Sequence, residues 1–191
     1  MTDVVEIRWH GRAGQGAKSA AYTLAESAGR AGKYIQAFPV YGSERAGAPM
    51  MAFTRIADKP IRMHEQIYTP DVVVLLDETI LESAGVLKGL KPDGIFLMNT
   101  PKSPEEIKEK YAKDATFKIF TADGTTISIE EMGRAFPNIP LLGALAKVTG
   151  LVPLERLSED VYQMFAAKRG EKVAEANQHA LKRGYEEVKG L

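Results

Sequence analysis

The stretch from residue 9 to residue 18 carries the residue types best suited to bind an anion. It reads Trp-His-Gly-Arg-Ala-Gly-Gln-Gly-Ala-Lys and follows a short apolar run. Glycine permits positive φ and lets a ligand approach the bare backbone, and the first N–H groups of a following helix lack internal partners. The spacing of Gly11, Gly14 and Gly16 therefore predicts a phosphate-binding turn, although it matches neither the dinucleotide fingerprint nor the Walker loop.

A second polar segment, residues 41–49, contains two further glycines and is predicted to be a loop. The side chains of the two segments that we expect to complete an anion site are Arg12, Gln15, Lys18, Ser43 and Arg45. A guanidinium can contact a phosphate or a carboxylate with two hydrogen bonds. Arg45 is therefore predicted either to bind a ligand or to anchor a carboxylate of a partner subunit.

The distribution of charge supports an anionic ligand, although the net charge is zero. Residues 8–62 contain nine Lys or Arg against three Asp or Glu, whereas the remainder contains 16 basic and 22 acidic residues. A basic segment attracts anions, and a solvated basic face is the alternative interpretation. Nucleic acid is not expected as a partner, because the basic residues are scattered and the sequence pI is about 6.9.

Several kinds of chemistry are excluded or disfavoured by residue content. The chain has no cysteine, which rules out thiolate zinc sites and cysteine-ligated iron–sulfur clusters within it. None of the three histidines, His10, His64 and His179, has a carboxylate or a second histidine at metal-ligand spacing, so no metal site is expected. Asp77 and Glu78 follow a buried strand, and a role at a helix start is favoured over catalysis. No catalytic residue is therefore predicted.

Membrane insertion and export are not expected either. No run of about 18 apolar residues occurs, and the first residues lack the basic start and apolar centre of a secretion signal. The predicted compartment is the cytoplasm.

Hydrophobic periodicity predicts alternating strands and helices. Strands are expected at residues 4–9, 34–38, 50–56, 72–76, 94–98 and 117–121, with Pro39 ending the second. Helices are expected at residues 17–32, 79–87, 104–113, 141–149, 154–165 and 171–188. Ser103 or Thr100 is expected to cap the third helix, and Gly150 to end the fourth.

This order indicates the α/β class, with a three-layer sandwich around a mostly parallel central sheet and a helical C-terminal segment. The chain is predicted to be a single domain over residues 1–191, with an α/β core over 1–150 and the helical segment over 151–191. Those last helices are expected either to close the sheet or to form an arm for subunit contacts.

Two motifs resemble the gamma subunit of 2-oxoacid:ferredoxin oxidoreductases, and the pyruvate or 2-ketoisovalerate type is the most similar. They are His-Gly-Arg-Ala-Gly-Gln-Gly at residues 10–16 and Phe-Pro-Val-Tyr-Gly-Ser-Glu-Arg-Ala-Gly-Ala-Pro at residues 38–49. The family usually has G-R-G-G-Q-G in the first motif, where this chain has Ala13 in place of a glycine. Ala46 stands where a second basic residue is common. The resemblance extends over about residues 4–150.

The resemblance implies a division of labour among subunits. Alpha and beta subunits hold thiamine diphosphate with Mg²⁺, and beta and delta subunits hold [4Fe–4S] clusters. The gamma part resembles the domain that helps to hold coenzyme A in single-chain relatives. The implied reaction is oxidative decarboxylation of a 2-oxoacid with coenzyme A, which gives acyl-CoA, CO₂ and reduced ferredoxin.

The resemblance also implies roles for the predicted anion-binding residues. The backbone of residues 11–16, including Gly11, Gly14, Gln15 and Gly16, would face phosphates of coenzyme A with Arg12 and Lys18. Ser43 and Arg45 would complete that site or fix it against the alpha subunit.

Three other members of the family remain as alternatives: gamma subunits of indolepyruvate, 2-oxoglutarate and oxalate oxidoreductases. The oxalate type needs no coenzyme A, which would leave the two loops with a structural role. A stand-alone nucleotide-binding module is the alternative outside the family.

Overall fold

A computed structural model describes residues 4–41, 47–82 and 85–190. Ser43 and Arg45 therefore lie outside the described residues. The strands are β1 (Val4–Arg12), β2 (Tyr34–Tyr41), β3 (Pro49–Ala57), β4 (Val72–Leu75), β5 (Ile95–Asn99), β6 (Lys118–Ala122) and β7 (Lys189–Gly190). The helices are α1 (Ala17–Arg30), α2 (Pro104–Tyr111), α3 (Gly124–Met132), α4 (Asn138–Thr149), α5 (Leu154–Arg169) and α6 (Glu171–Glu187).

The strands form one sheet in the order β2-β3-β1-β4-β5-β6-β7. The four central strands, β1, β4, β5 and β6, are parallel neighbours. The strands β3 and β2 extend this sheet in antiparallel fashion on one side, and β7 does so on the other. The predicted α/β class with a sheet that is parallel at its centre is confirmed. Because β1 and β4 run in the same direction, their carboxyl ends meet at one edge.

The core is divided between the two faces of the sheet. On one face, α1 and α4 bury small and aliphatic side chains such as Ala20, Leu24 and Leu142. On the other face, Phe96 of β5 and Ile107 of α2 belong to a separate buried cluster. Alanines on α1 let that helix lie close to the strands. The three layers are therefore helices, sheet, and a third layer formed by α2 together with irregular segments.

The helix predicted at residues 79–87 is wrong. The chain forms a single 3₁₀ turn at Glu78–Ile80 there. The buried guanidinium of Arg8 binds the carbonyl oxygens of Val86 and Lys88, at 2.9 and 2.6 Å. These contacts hold the chain at Val86 and Lys88 against Arg8 of β1, and local helical spacing could not reveal a partner about 80 residues away.

The predicted end of the second strand at Pro39 is also wrong, because β2 continues to Tyr41. β2 is the outermost strand of the sheet and pairs only with β3 among the described strands. A proline is tolerated in an edge strand, where its missing N–H faces away from the ladder. Pro39 also makes this long edge a poorer template for pairing with another chain.

Several helix ends agree with the sequence. Ser103 forms a capping box with Glu106 at the start of α2, and Gly150 ends α4 in the left-handed conformation, with φ 63°. Two elements were not predicted. One is α3, whose first turn is capped by Asp123, and the other is β7, which pairs with β6 at the end of the chain. The helical C-terminal segment is confirmed, and its helices pack on the chain's own core.

The approach of α4 to α6 depends on two glycines. A Cβ atom added to Gly143 would overlap the carbonyl oxygen of Leu181, and one added to Gly184 would overlap that of Pro140. Each helix therefore presents bare backbone to the other. This reciprocal contact fixes α6 directly against the main core.

Among the helices of the described residues, none combines the length and the apolar character that a membrane span requires.

Candidate functional site

The glycine turn, defined as residues 11–16, begins within a strand. Gly11 and Arg12 are still part of β1 and pair with Met50 and Pro49 of β3. A Cβ atom on Gly11 would lie 3.3 Å from the Cβ of Leu76, so close packing against the end of β4 explains this glycine. The chain leaves the sheet only after Arg12, and the glycine turn then leads directly into α1.

Gly14 and Gly16 provide an open backbone at the start of α1. Gly14 has φ +102°, and an added Cβ atom there would meet nothing within 4 Å. Gly16 has φ +87°, and an added Cβ atom would lie 2.6 Å from Cγ of Asn138, the first residue of α4. Both positions therefore need glycine, and the space beside Gly14 is free.

The first turn of α1 has no side-chain cap. The N–H of Ala20 donates to the carbonyl of Gly16 at 2.9 Å, so the three helical N–H groups before Ala20 have no intrahelical acceptor. Lys18 lies exposed in this turn, with Nζ 5.7 Å from the ring centroid of Tyr22. The helix start thus offers free N–H donors, a partial positive charge and a lysine in one place.

The side chain of Gln15 folds back onto the glycine turn. Its Oε1 accepts a hydrogen bond from the N–H of Arg12 at 2.7 Å, and its Nε2 donates to Oδ2 of Asp77 at 2.6 Å. Asp77 follows β4, and its Oδ1 accepts from the N–H of Thr79 at 2.9 Å. Gln15 therefore closes the turn and ties it to the neighbouring strand end.

Arg12 joins the glycine turn to two other segments. Its Nη2 donates to Oγ1 of Thr79 at 2.8 Å, its Nη1 donates to the carbonyl of Gly47 at 3.0 Å, and its Nε lies 3.3 Å from Oδ2 of Asp77. The N–H of Ala13 also donates to the carbonyl of Ala48 at 2.9 Å. The structure thus brings the first motif and the end of the second together. About a third of the Arg12 side chain stays exposed, which leaves N–H groups free for a ligand.

The two carboxylates that follow β4 have different partners. Burial raises the pKa of Asp77, but hydrogen bonds from Thr79 and Gln15 outweigh it, and the pKa lies below its usual range. Burial likewise raises the pKa of Glu78, and its contacts with Lys102 outweigh that effect. Both groups are therefore ionised and paired at neutral pH. Asp77 has the role at a helix start that the sequence favours, since it caps the 3₁₀ turn.

His10 lies in β1 and is 2% exposed, so it is not part of the open turn. Its Nε2 accepts a hydrogen bond from Nε of Arg8 at 3.0 Å. Burial, and then the positive charge of Arg8, lower the pKa of His10 to about 3. The imidazole is neutral at physiological pH and serves as a buried acceptor.

In the part of the chain that the structure describes, no group of three or more His, Asp or Glu side chains is arranged to hold a metal ion.

Sequence reasoning missed Thr79 and Gly47 as parts of this site, and it gave Asp77 no link to the glycine turn. The usable signal was the position of Asp77 directly after a buried strand. It became informative only once β4 was known to lie beside β1, since neighbouring parallel strands end at the same edge.

A shallow cavity of about 280 Å³ lies at the amino ends of the parallel strands, on the opposite edge of the sheet from the glycine turn. The ion-paired side chains of Asp71 and Lys91 are among its lining residues.

A family model of pyruvate ferredoxin/flavodoxin oxidoreductase matches residues 6–187. The chain therefore belongs to the pyruvate ferredoxin/flavodoxin oxidoreductase family. It is 54% identical over 184 residues to the pyruvate synthase subunit PorC of Thermotoga maritima, which spans 96% of this chain and 94% of the relative. It is 50% identical over 180 residues to the common gamma subunit of the pyruvate/ketoisovalerate oxidoreductases of Pyrococcus abyssi, spanning 94% and 97%.

Within this family the chain is a gamma-type subunit, since the relatives that it matches are named as subunits of pyruvate synthase and of the pyruvate/ketoisovalerate oxidoreductases. The crystal structure of the pyruvate oxidoreductase subunit PORC (EC 1.2.7.1) from Thermotoga maritima superposes with a TM-score of 0.87 at 50% identity and covers 99% of both chains. The resemblance inferred from the two motifs is thereby confirmed.

The same fold occurs inside a longer chain. The 2-oxoglutarate:ferredoxin oxidoreductase from Magnetococcus marinus, solved with 2-oxoglutarate, coenzyme A and succinyl-CoA bound, matches with a TM-score of 0.79 at 23% identity. The match covers 96% of this chain and 31% of that chain. At this identity the likeness concerns the fold.

Proposed function

We propose that this subunit binds the phosphates of coenzyme A at the glycine turn. The observation that carries the proposal is the uncapped start of α1, where helical N–H groups lack acceptors, the space beside Gly14 is open and Lys18 is exposed. An anion is stabilised there by the unpaired donors and the helix dipole. Coenzyme A carries a pyrophosphate and a further phosphate, which matches the basic character of residues 8–62. The coenzyme A bound in the Magnetococcus marinus enzyme, which shares this fold, supports the same ligand.

The proposed contacts divide between backbone and side chains. Backbone groups of Gly11, Gly14, Gln15 and Gly16 shape the cradle, and the N–H groups at the start of α1 face the phosphates. Arg12 contributes through the guanidinium N–H groups left free by Asp77, Thr79 and Gly47, and Lys18 adds a mobile charge. The remaining two residues of the proposed site, Ser43 and Arg45, complete it or fix it against the alpha subunit.

The chain would supply this site to an enzyme whose redox chemistry takes place elsewhere. Partner alpha, beta and delta subunits would hold thiamine diphosphate with Mg²⁺ and the [4Fe–4S] clusters, because this chain has no cysteine to ligate iron. The 2-oxoacid would lose CO₂ on a partner, two electrons would pass to ferredoxin, and the coenzyme A held here would accept the acyl group as a thioester. We place the complex in the cytoplasm and the single-domain subunit at the mouth of its active site.

Replacing Lys18 with alanine in the assembled enzyme is expected to raise the KM for coenzyme A about tenfold, because a charge-assisted contact contributes about 1.5–3 kcal/mol. The KM for the 2-oxoacid should not change. Steady-state kinetics with each substrate varied in turn measures both values. Lys33→Ala is the matched control, since Lys33 lies just beyond the far end of α1, paired with Asp58.

An unchanged KM for coenzyme A in the Lys18→Ala enzyme, with the complex intact, would contradict a role for this lysine. Arg45→Ala separates the two roles proposed for the second loop. A raised KM for coenzyme A would mean that Arg45 binds the ligand, whereas loss of the alpha subunit during purification would mean that it anchors the partner.

A further inference from the structure

Asp77 is the meeting point of three segments at the carboxyl edge of the sheet. Its Oδ2 accepts from Nε2 of Gln15 at 2.6 Å and lies 3.3 Å from Nε of Arg12. Its Oδ1 accepts from the N–H and from Oγ1 of Thr79, at 2.9 and 2.5 Å. A carboxylate has about four acceptor sites, so these donors occupy most of its capacity. Only 14% of the side chain is exposed.

A carboxylate this close to the proposed phosphate site would repel an anion unless its charge were matched. Here the guanidinium of Arg12 and the donors of Gln15 and Thr79 match it. The carboxylate is therefore neutralised by its own neighbours, and among the described residues the N–H groups of Gly14 and Gly16 have no acceptor.

The two partners of Asp77 carry its effect to the glycine turn. Gln15 spans from Asp77 to the N–H of Arg12, which fixes the width of the turn. Arg12 spans from Asp77 to the carbonyl of Gly47, which fixes the end of the second loop. A change at Asp77 is therefore transmitted to both motifs through two side chains.

We propose that Asp77 is a positioning residue for coenzyme A binding, which acts through Gln15 and Arg12 to hold the glycine turn against the end of the second loop at Gly47. This inference rests on the proposed function, because it assumes that the glycine turn binds coenzyme A. Asp77 itself does not contact the ligand.

The neighbouring Glu78 provides a matched control. It follows the same strand and is also partly buried, but its carboxylate contacts Lys102, Thr100 and Tyr111, and among the described residues it does not touch the glycine turn. Neutralising Glu78 therefore removes an equal charge at the same strand end, with no direct effect on Gln15 or Arg12.

The test compares Asp77→Asn, Gln15→Glu and Glu78→Gln in the assembled enzyme. In Asp77→Asn, an amide N–H group replaces an oxygen that now accepts from neighbouring donors, such as Gln15 and Arg12. In Gln15→Glu, the new carboxylate of residue 15 lies against the carboxylate of Asp77. Each is expected to raise the KM for coenzyme A about three- to tenfold, because one or two charge-assisted hydrogen bonds of the turn are lost. The kcat at saturating coenzyme A and the KM for the 2-oxoacid should stay unchanged. Glu78→Gln should leave all three values unchanged.

The double variant Asp77→Asn, Gln15→Glu tests whether the hydrogen bond between residues 77 and 15 carries the effect. It exchanges donor and acceptor between the same two positions, so that the amide of residue 77 can donate to the carboxylate of residue 15. The KM for coenzyme A should return to within about twofold of the wild-type value, since coupled residues deviate from additivity. A purely structural role would instead lower kcat and the yield of intact complex in the single variants, with no selective rise in the KM for coenzyme A.

Two results would overturn the inference. One is an unchanged KM for coenzyme A in Asp77→Asn while Lys18→Ala raises it, which would leave the proposed function standing without the role of Asp77. The other is a double variant whose KM is as high as the product of the single effects. If Lys18→Ala, Asp77→Asn and Gln15→Glu all leave the KM unchanged, the coenzyme A site itself is wrong, and the inference falls with it.

Discussion

A Gly184→Ala chain should unfold at a much lower denaturant concentration than the wild type, with a loss of about 3 kcal/mol or more of unfolding free energy. The added methyl group would overlap the carbonyl oxygen of Pro140 and lie 2.5 Å from its carbonyl carbon. These are backbone atoms of α4, so no side-chain rotation can relieve the contact. The helices must separate, and α6 must withdraw the buried side chains of Ala180 and Leu181. Gly143→Ala should have an effect of similar size, because it creates the reciprocal overlap with Leu181.

The control for this prediction is Gly29→Ala. Gly29 lies in the last turn of α1, and an added Cβ atom there would meet only the side chain of Ile35, whose terminal Cδ1 is nearest at 3.2 Å. Alanine is favoured over glycine in a helix, by at most about 1 kcal/mol and by less near a helix end, so this variant should be close to neutral. Denaturant titration followed by circular dichroism measures all three variants. A Gly184→Ala chain as stable as Gly29→Ala would show that the close approach of α4 and α6 is not needed.

The free energy of unfolding should fall by about 2 kcal/mol between pH 6.5 and 4.5 because of His10 alone. Its pKa is about 3 in the folded chain, against 6.5 for an ordinary histidine. The unfolded chain therefore takes up a proton at higher pH than the folded chain does. The stability that depends on neutral His10 is complete above pH 6.5 and is lost progressively as the pH falls toward 3. Protonation at Nε2 would also remove the acceptor that Arg8 uses and place two positive charges side by side.

Comparison with His10→Gln isolates this effect. The amide oxygen of glutamine can accept from Arg8, but the side chain does not titrate, so the variant should lose less stability over the same pH range. The paired carboxylates, including Asp77 and Asp160, have pKa values below their usual range and contribute mainly at lower pH. Denaturant midpoints at half-unit pH steps provide the measurement. Parallel curves for the two chains would contradict the assignment of His10 as a buried neutral base.

The strands were predictable because their signal is local. The run Val72–Leu75 is apolar on both faces, as expected for a covered parallel strand, and residues 4–9 keep apolar side chains on one face, with Glu6 and Arg8 on the other. Helix starts and ends with specific chemistry were also predictable, such as Ser103 and Gly150. The predicted helix at residues 79–87 lies next to a non-local contact, since Arg8, about 80 residues earlier, binds the carbonyl oxygens of Val86 and Lys88. The strand β7 was missed because two residues carry no periodic pattern.

The site was partly predictable in the same way. Gly14 and Gly16 were expected from their types and spacing, and their positive φ angles agree with that expectation. Three of the assigned side chains, Arg12, Gln15 and Lys18, are close to this turn, but the sequence could not show that Gln15 and Arg12 are held by Asp77. The spacing of 62 residues between Gln15 and Asp77 gives no signal until the order of the strands is known.

By itself, the sequence determined the class of the fold, the family through its two glycine-containing motifs, and the absence of any cysteine for an iron–sulfur cluster. These properties follow from residue types and short spacings, which a single chain carries in full. Only the tertiary structure decided that β1 lies beside β4, so that Asp77 meets Gln15 and Arg12, and that Gly143 and Gly184 face each other's helices. The physical reason is that such contacts depend on which distant segments become neighbours in the fold. The order of strands in the sheet cannot be inferred from a local pattern of side chains.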